Sequence, residues 1–185
     1  MTSLRTLAAT LVAGSLCAGI ASASEGPASY CDSSPVFAQF DFWIGHWDVY
    51  AGERRVGQNT ISKDAGGCVI REHWVNMGGT HGYSLRHYNP LSSTWEMFWV
   101  SDAYTVKTEG RELEPGVVLL EGKIHYFQSE QISDFRVRFT AREDGTVRQL
   151  AEQRDTAEEG WKTWFDGRYR RAGENADTKE RQTGD

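Results

Sequence analysis

Residues 135–139 read Phe-Arg-Val-Arg-Phe, and this stretch decides the fold. Phe135, Val137 and Phe139 fall on one side of an extended chain and the two arginines on the other, because successive side chains of a strand point to opposite faces. A strand with one apolar and one charged face is typical of a sheet that packs on a core and meets water outside. The stretch therefore predicts an antiparallel wall.

Similar extended stretches lie on both sides of this one, separated by turn sequences such as Gly78-Gly79 and Glu143-Asp144-Gly145. The other strands are expected to begin near His46 and to cover Arg55–Ser62, Cys68–Asn76, Tyr83–Tyr88, Thr94–Ser101, Tyr104–Glu109, Val117–His125, Val147–Asp155 and Trp161–Arg170. About ten short antiparallel strands either form two packed sheets or close on themselves, and closure leaves no exposed edge. We predict an all-β fold: a single closed antiparallel β-barrel, entered through a short N-terminal helix that begins at Pro35.

The N-terminus has the pattern of a secretory signal peptide. Arg5 is the only charged side chain before Glu25, and the apolar run over 7–20 is too short to span a bilayer comfortably. Small residues at 21–23 predict cleavage after Ala23. A lipoprotein signal at Cys17 is the alternative, but the bulky residue before that cysteine disfavours it. We expect an exported, periplasmic or secreted protein without a stable membrane anchor.

The remaining chain divides into three parts. An extension over 24–34 precedes the barrel domain at 35–171, and a polar tail over 172–185 without large apolar residues is expected to be disordered. The 185 residues carry 26 acidic and 20 basic side chains, a formal charge of −6. Nucleic acid is not expected as a partner, because phosphate contacts need clustered Lys and Arg.

Two cysteines remain after the predicted cleavage, Cys31 and Cys68. An oxidising compartment allows a disulfide between them to persist, and we expect them to pair. Two buried free thiols are the alternative, since two cysteines define no spacing pattern.

Several segments resemble a family of exported bacterial proteins of unassigned function with lipocalin-like barrels. These segments are Phe40–Val49, Cys68–Trp74, Trp95–Trp99, Gly145–Leu150 and Phe165–Arg170. The resemblance implies the barrel but no named reaction, because folds of this kind host binders and enzymes alike. His46, His73 and Ala151 depart from the family's usual residues.

Trp47 has a structural interpretation that follows from this resemblance. In lipocalin-like barrels a tryptophan near the start of the first strand closes the floor, and an arginine of the last strand lies over its face. Arg168 or Arg170 is the expected partner here.

Glu72 is the first candidate for chemistry. Glu72 and Trp74 are two residues apart and therefore lie on the same face of their strand. If the Trp74 indole points into the barrel, the Glu72 carboxylate is expected to point there too. It is either a general base or ligand anchor, or one half of a buried ion pair, with Arg148 as a possible partner.

An aromatic stripe suggests a binding wall. Trp95, Met97 and Trp99 share one face of a strand, and with Trp74 they are suited to an apolar or aromatic ligand, which Glu72 or His87 would orient. A filled core explains the same residues.

The five histidines show no metal-ligand spacing, and none follows His125 to serve as a C-terminal haem ligand, so no metal and no cofactor are expected. Acid–base candidates are Glu72, His87, Tyr104 and Asp102. The leading hypothesis is a barrel that binds a small apolar or aromatic molecule. Alternatives are a small-barrel enzyme, such as a cyclase, isomerase or hydrolase, and a non-catalytic interaction protein with a filled core and an exposed apolar patch.

Overall fold

The computed structural model describes residues 29–173, which form one barrel and a short N-terminal cap. The elements are helix α1 (Tyr30–Ser33), two 3₁₀ turns (Pro35–Ala38 and Asp41–Trp43) and strands β1 (Gly45–Ala51), β2 (Arg54–Asp64), β3 (Val69–Asn76), β4 (His81–Asn89), β5 (Thr94–Ser101), β6 (Tyr104–Glu114), β7 (Val117–Tyr126), β8 (Ile132–Ala141), β9 (Val147–Arg154) and β10 (Lys162–Arg171). No helix within 29–173 is long and apolar enough to cross a bilayer. The predicted signal peptide, and the tail after Gly173, lie outside the described residues.

Every strand pairs antiparallel with its neighbour in sequence, and β1 closes the circle by pairing with β10. The closing register sets Trp47 opposite Arg171 and Val49 opposite Tyr169. The predicted closed barrel of ten strands is confirmed. Closure satisfies the backbone groups that an edge strand would leave unpaired.

Residues 135–139 lie in β8, and their burial follows the pattern that the sequence predicts. Phe135, Val137 and Phe139 are buried in β8, whereas Arg138 is exposed and Arg136 pairs at 2.7 Å with Glu152 on the outer wall. Alternation of apolar and charged residues thus separates the core from the outer surface.

The N-terminal segment closes one end of the barrel. The short helix is confirmed, although it is divided into α1 and two 3₁₀ turns, and α1 begins before Pro35. Phe40 and Trp43 are fully buried, and their ring centroids lie 5.5 and 4.8 Å from that of Phe139. The apolar cap therefore packs directly on the barrel core.

A disulfide fastens this cap to the barrel. Cys31 in α1 bonds to Cys68 in the turn between β2 and β3, 37 residues later, which confirms the predicted pair. The cross-link restrains a segment that would otherwise be held mainly by packing.

Trp47 is buried as expected, but both predicted arginine partners are wrong. The guanidinium over its ring, at 3.9 Å from the centroid, belongs to Arg171. Arg170 instead lies over Tyr50 at 4.6 Å, and Arg168 contacts a glutamate of the β1–β2 turn. The reason is strand parity: Arg171 shares the inward face of β10 with Tyr169, and residues 168 and 170 alternate with it.

Candidate functional site

The barrel encloses a cavity of about 120 Å³ above the cap. Fully or nearly buried residues form its floor, namely Glu72, Arg86 and Tyr169. Partly buried aromatic residues form its walls near the open end, where the β3–β4 and β5–β6 turns lie. These wall residues are Trp74, Trp99, Tyr104, Trp164 and Phe165.

Glu72 lies at the floor, as predicted, and its carboxylate accepts three hydrogen bonds. Asn59 Nδ2 donates to Oε1 at 2.7 Å, and Ser84 Oγ and Arg86 Nη2 donate to Oε2 at 2.6 and 3.0 Å. Its exposed fraction is only 3%. The predicted ion-pair partner, Arg148, is wrong.

Arg148 lies on the outer wall, where its Nε and Nη2 donate hydrogen bonds to the two carboxylate oxygens of Asp166, both at 2.8 Å. The partner of Glu72 is Arg86, which is 1% exposed. Its guanidinium lies 4.1 Å from the ring centroid of Trp43 in the cap and 5.1 Å from that of Phe139 in β8, so it packs where the cap meets the barrel core. Burial lowers the pKa of Arg86, and the charge of Glu72 opposes that effect.

The inward position of Arg86 was missed because β4 inverts the usual pattern. Its inward face carries Gly82, Ser84 and Arg86, whereas Tyr83 and Leu85 point outward with 49% and 54% of their surface exposed. Hydrophobic alternation assigns the apolar residues of such a strand to the core. The sequence did contain a signal for the inward position of Arg86. Ser84 and Arg86 share one face of β4, and Glu72 lies on the neighbouring strand β3.

Tyr169 completes the polar floor. Its hydroxyl accepts from Asn59 Nδ2 at 3.2 Å and donates to Gln149 Oε1. Burial raises the pKa of Tyr169 above its ordinary value, and the negative charge of Glu72 adds to the effect. The phenol is therefore held as a neutral hydrogen-bonding group.

Two of the predicted wall residues, Trp74 and Trp99, line the cavity and pack closely against glycines of the neighbouring strands. A side chain at Gly57 would collide with the Trp74 ring, and one at Gly82 would collide with the Trp99 ring. Each indole therefore occupies the space that a β-carbon would take on the wall.

Met97 also lines the cavity, as expected, but Trp95 does not. Trp95 is 1% exposed and packs against Phe40 at 5.0 Å between centroids, with its Nε1 donating to Gln39 Oε1 at 2.9 Å. Strand geometry explains the correction, because four residues of rise place Trp95 roughly 13 Å below Trp99 along β5. Trp95 belongs to the cap core.

The prediction that His87 orients a ligand is also wrong. It shares parity with Tyr83 and Leu85, so it lies on the outer wall, half exposed, with Nε2 3.7 Å from Glu96 Oε2. It cannot orient a ligand in the cavity. Of the other acid–base candidates, Tyr104 lines the cavity and Asp102 lies exposed in the β5–β6 turn.

Within 29–173, no group of three or more His, Cys, Asp or Glu side chains is arranged to hold a metal ion. The sequence matches no family model and no curated protein. The resemblance to exported lipocalin-like proteins stays a prediction.

Proposed function

We propose that the protein binds a small, largely apolar or aromatic molecule in the barrel cavity. The observation that carries the proposal is the placement of Trp74 and Trp99 against Gly57 and Gly82, which leaves an aromatic-lined space instead of a filled core. The volume of about 120 Å³ is close to that of an engineered apolar cavity of about 150 Å³ that binds benzene. Ligand pockets are typically apolar spaces with few convergent polar groups.

The geometry favours binding over acid–base catalysis at Glu72. A general base needs a free oxygen within reach of the proton that it removes. Three donors already engage the Glu72 carboxylate, and one of them is the cation Arg86. We therefore assign Glu72 to the structure of the cavity floor.

The interaction-protein alternative has one observation in its favour, an apolar patch on the outer wall. Leu85 pairs across strands with Phe98, and Tyr83 pairs with Val100; these four side chains are between 38% and 54% exposed. That alternative expected such a patch in place of a cavity, whereas the described residues form both.

The test is ligand-observed NMR of the purified protein against a set of uncharged one-ring compounds. We expect binding to the unsubstituted protein and weaker binding to Gly82→Ala, because the new methyl group must push the Trp99 ring into the cavity. Gly160→Ala is the matched control, since a side chain there meets nothing within 4 Å. Val106→Phe fills the same space from another wall and serves if Gly82→Ala fails to fold.

Two outcomes contradict the proposal: no compound binds the unsubstituted protein, or folded Gly82→Ala and Val106→Phe both bind as the control does. In either case the cavity does not serve as the binding site.

Export is part of the same proposal. The Cys31–Cys68 disulfide is of the kind that persists in oxidising compartments. Mass spectrometry of the protein produced from its full-length gene in a bacterial host should give a mature N-terminus at Ser24. An intact Met1 on the functional protein would contradict the proposal.

A further inference from the structure

The charges at the cavity cancel. Among the lining residues, only Glu72 and Arg86 carry a formal charge, and they form an ion pair at 3.0 Å. Both side chains are nearly inaccessible, with exposed fractions of 3% and 1%. A ligand that enters therefore meets a floor with no net charge.

Neither member of the pair is free to neutralise a charged ligand. Arg86 donates through Nη2 to Glu72 and through Nη1 to Ser84, at 2.9 Å for the latter, so its charge is already paired with that of Glu72; its Nε is buried and has no hydrogen-bond partner among the described residues. Glu72 accepts from three donors, as described above. A ligand ion would lose its hydration without gaining a counter-ion, and that loss is costly in a confined apolar space.

Tyr104 supplies a hydrogen-bonding group on the wall above this floor. Burial raises the pKa of Tyr104 above its ordinary value, and the negative charge of Glu72 raises it further. The phenol therefore stays protonated and can donate.

The walls favour flat molecules. The rings of Trp74, Trp99 and Trp164 surround the space, and aromatic groups prefer offset-stacked or edge-to-face contact with one another. The volume limits the ligand to about one ring, by comparison with a cavity of about 150 Å³ that holds benzene.

We propose that the ligand is an uncharged, planar molecule of about one aromatic ring, with one polar group that hydrogen-bonds to the Tyr104 hydroxyl. Phenols and hydroxymethyl arenes are the chemical class that fits this description. The inference rests on the proposed function and narrows it, because an apolar or aromatic ligand could equally have been an acid, an amine or an aliphatic molecule.

Isothermal titration calorimetry at pH 7 with four probes of similar size tests the inference. Benzyl alcohol is the uncharged planar probe, benzoate and benzylammonium are its charged counterparts, and cyclohexylmethanol is its non-planar counterpart. We expect benzyl alcohol to bind about tenfold or more tightly than either ion, and more tightly than cyclohexylmethanol. Tyr104→Phe should weaken the binding of benzyl alcohol by about three- to tenfold and leave the affinity for toluene unchanged.

The outcomes separate the two proposals. If none of the probes binds, the proposed function fails and the inference fails with it. If benzoate or benzylammonium matches benzyl alcohol, the cavity binds ligands but the inference is overturned. Equal binding of cyclohexylmethanol contradicts the planar requirement, and an unchanged benzyl alcohol affinity in folded Tyr104→Phe contradicts the role of the hydroxyl.

Discussion

Arg86→Met is the substitution that bears most on the polar floor. Methionine keeps much of the apolar stem but removes the guanidinium that lies 4.1 Å from the Trp43 ring and donates to Glu72 and Ser84. Glu72 would then keep two of its three donors while it remains buried. We expect the free energy of unfolding to fall by about 3–5 kcal/mol, the usual cost of removing one member of a buried pair.

A double substitution distinguishes this mechanism from a simple loss of packing. Glu72→Gln added to Arg86→Met removes the uncompensated charge and retains an acceptor for Asn59 Nδ2. The double variant should therefore be more stable than Arg86→Met by about 1–2 kcal/mol, a recovery that loss of packing alone would not give. The single variant Glu72→Gln completes the cycle from which the coupling energy is calculated.

Urea unfolding followed by tryptophan fluorescence measures these differences, provided that circular dichroism gives a coincident transition. Arg148→Met is the matched control, because the Arg148–Asp166 pair is 39% and 48% exposed and should contribute about 1 kcal/mol or less. The reasoning is refuted if Arg86→Met costs no more than the control, or if adding Glu72→Gln gives no recovery.

The cap and the buried phenols give further predictions. Replacing Cys31 and Cys68 by serine should cost about 4 kcal/mol, from the entropy of the 37-residue loop; an equal urea midpoint with and without the disulfide would exclude this contribution. Above pH 10 the unfolded chain releases phenolic protons that folded Tyr104 and Tyr169 retain, so the free energy of unfolding should fall as pH rises, by about 1.4 kcal/mol per pH unit for each such tyrosine. Tyr104→Phe should reduce that slope by about 1.4 kcal/mol per pH unit, the contribution of one buried tyrosine. A slope unchanged by the substitution would contradict the burial of the Tyr104 hydroxyl. Arg171→Met should destabilise the protein by roughly 2 kcal/mol, because it removes both the contact with the Trp47 ring and the hydrogen bond from Nη1 to the Ile44 carbonyl oxygen at 2.7 Å. The same urea assay checks this, and no change would show that neither contact contributes to stability.

The barrel was predictable because its strands carry a local signal. The alternation of residues 135–139 identified the inward face of β8, and the predicted bounds Thr94–Ser101 coincide with those of β5. Turn residues separated neighbours closely enough that the antiparallel order followed from the sequence alone. The disulfide was predictable because the expected cleavage after Ala23 removes Cys17 and leaves only Cys31 and Cys68 to pair.

The site was only partly predictable, because period-two patterning tells which residues share a face but not which face is inside. Trp74, Met97 and Trp99 were placed correctly since large apolar groups dominate their strands. In β4 the outward apolar residues concealed Arg86 and placed His87 on the wrong side. Partners across the barrel depend on closure and register, which no local pattern encodes.

The most direct test of the central claim is a crystal structure of the protein soaked with 4-bromophenol, with anomalous data collected at the bromine edge. The account predicts one strong bromine peak inside the barrel, between Trp74 and Trp99, with the phenol oxygen within hydrogen-bonding distance of Tyr104. A barrel interior filled by its own side chains, with bromine found only on the outer surface, would contradict it.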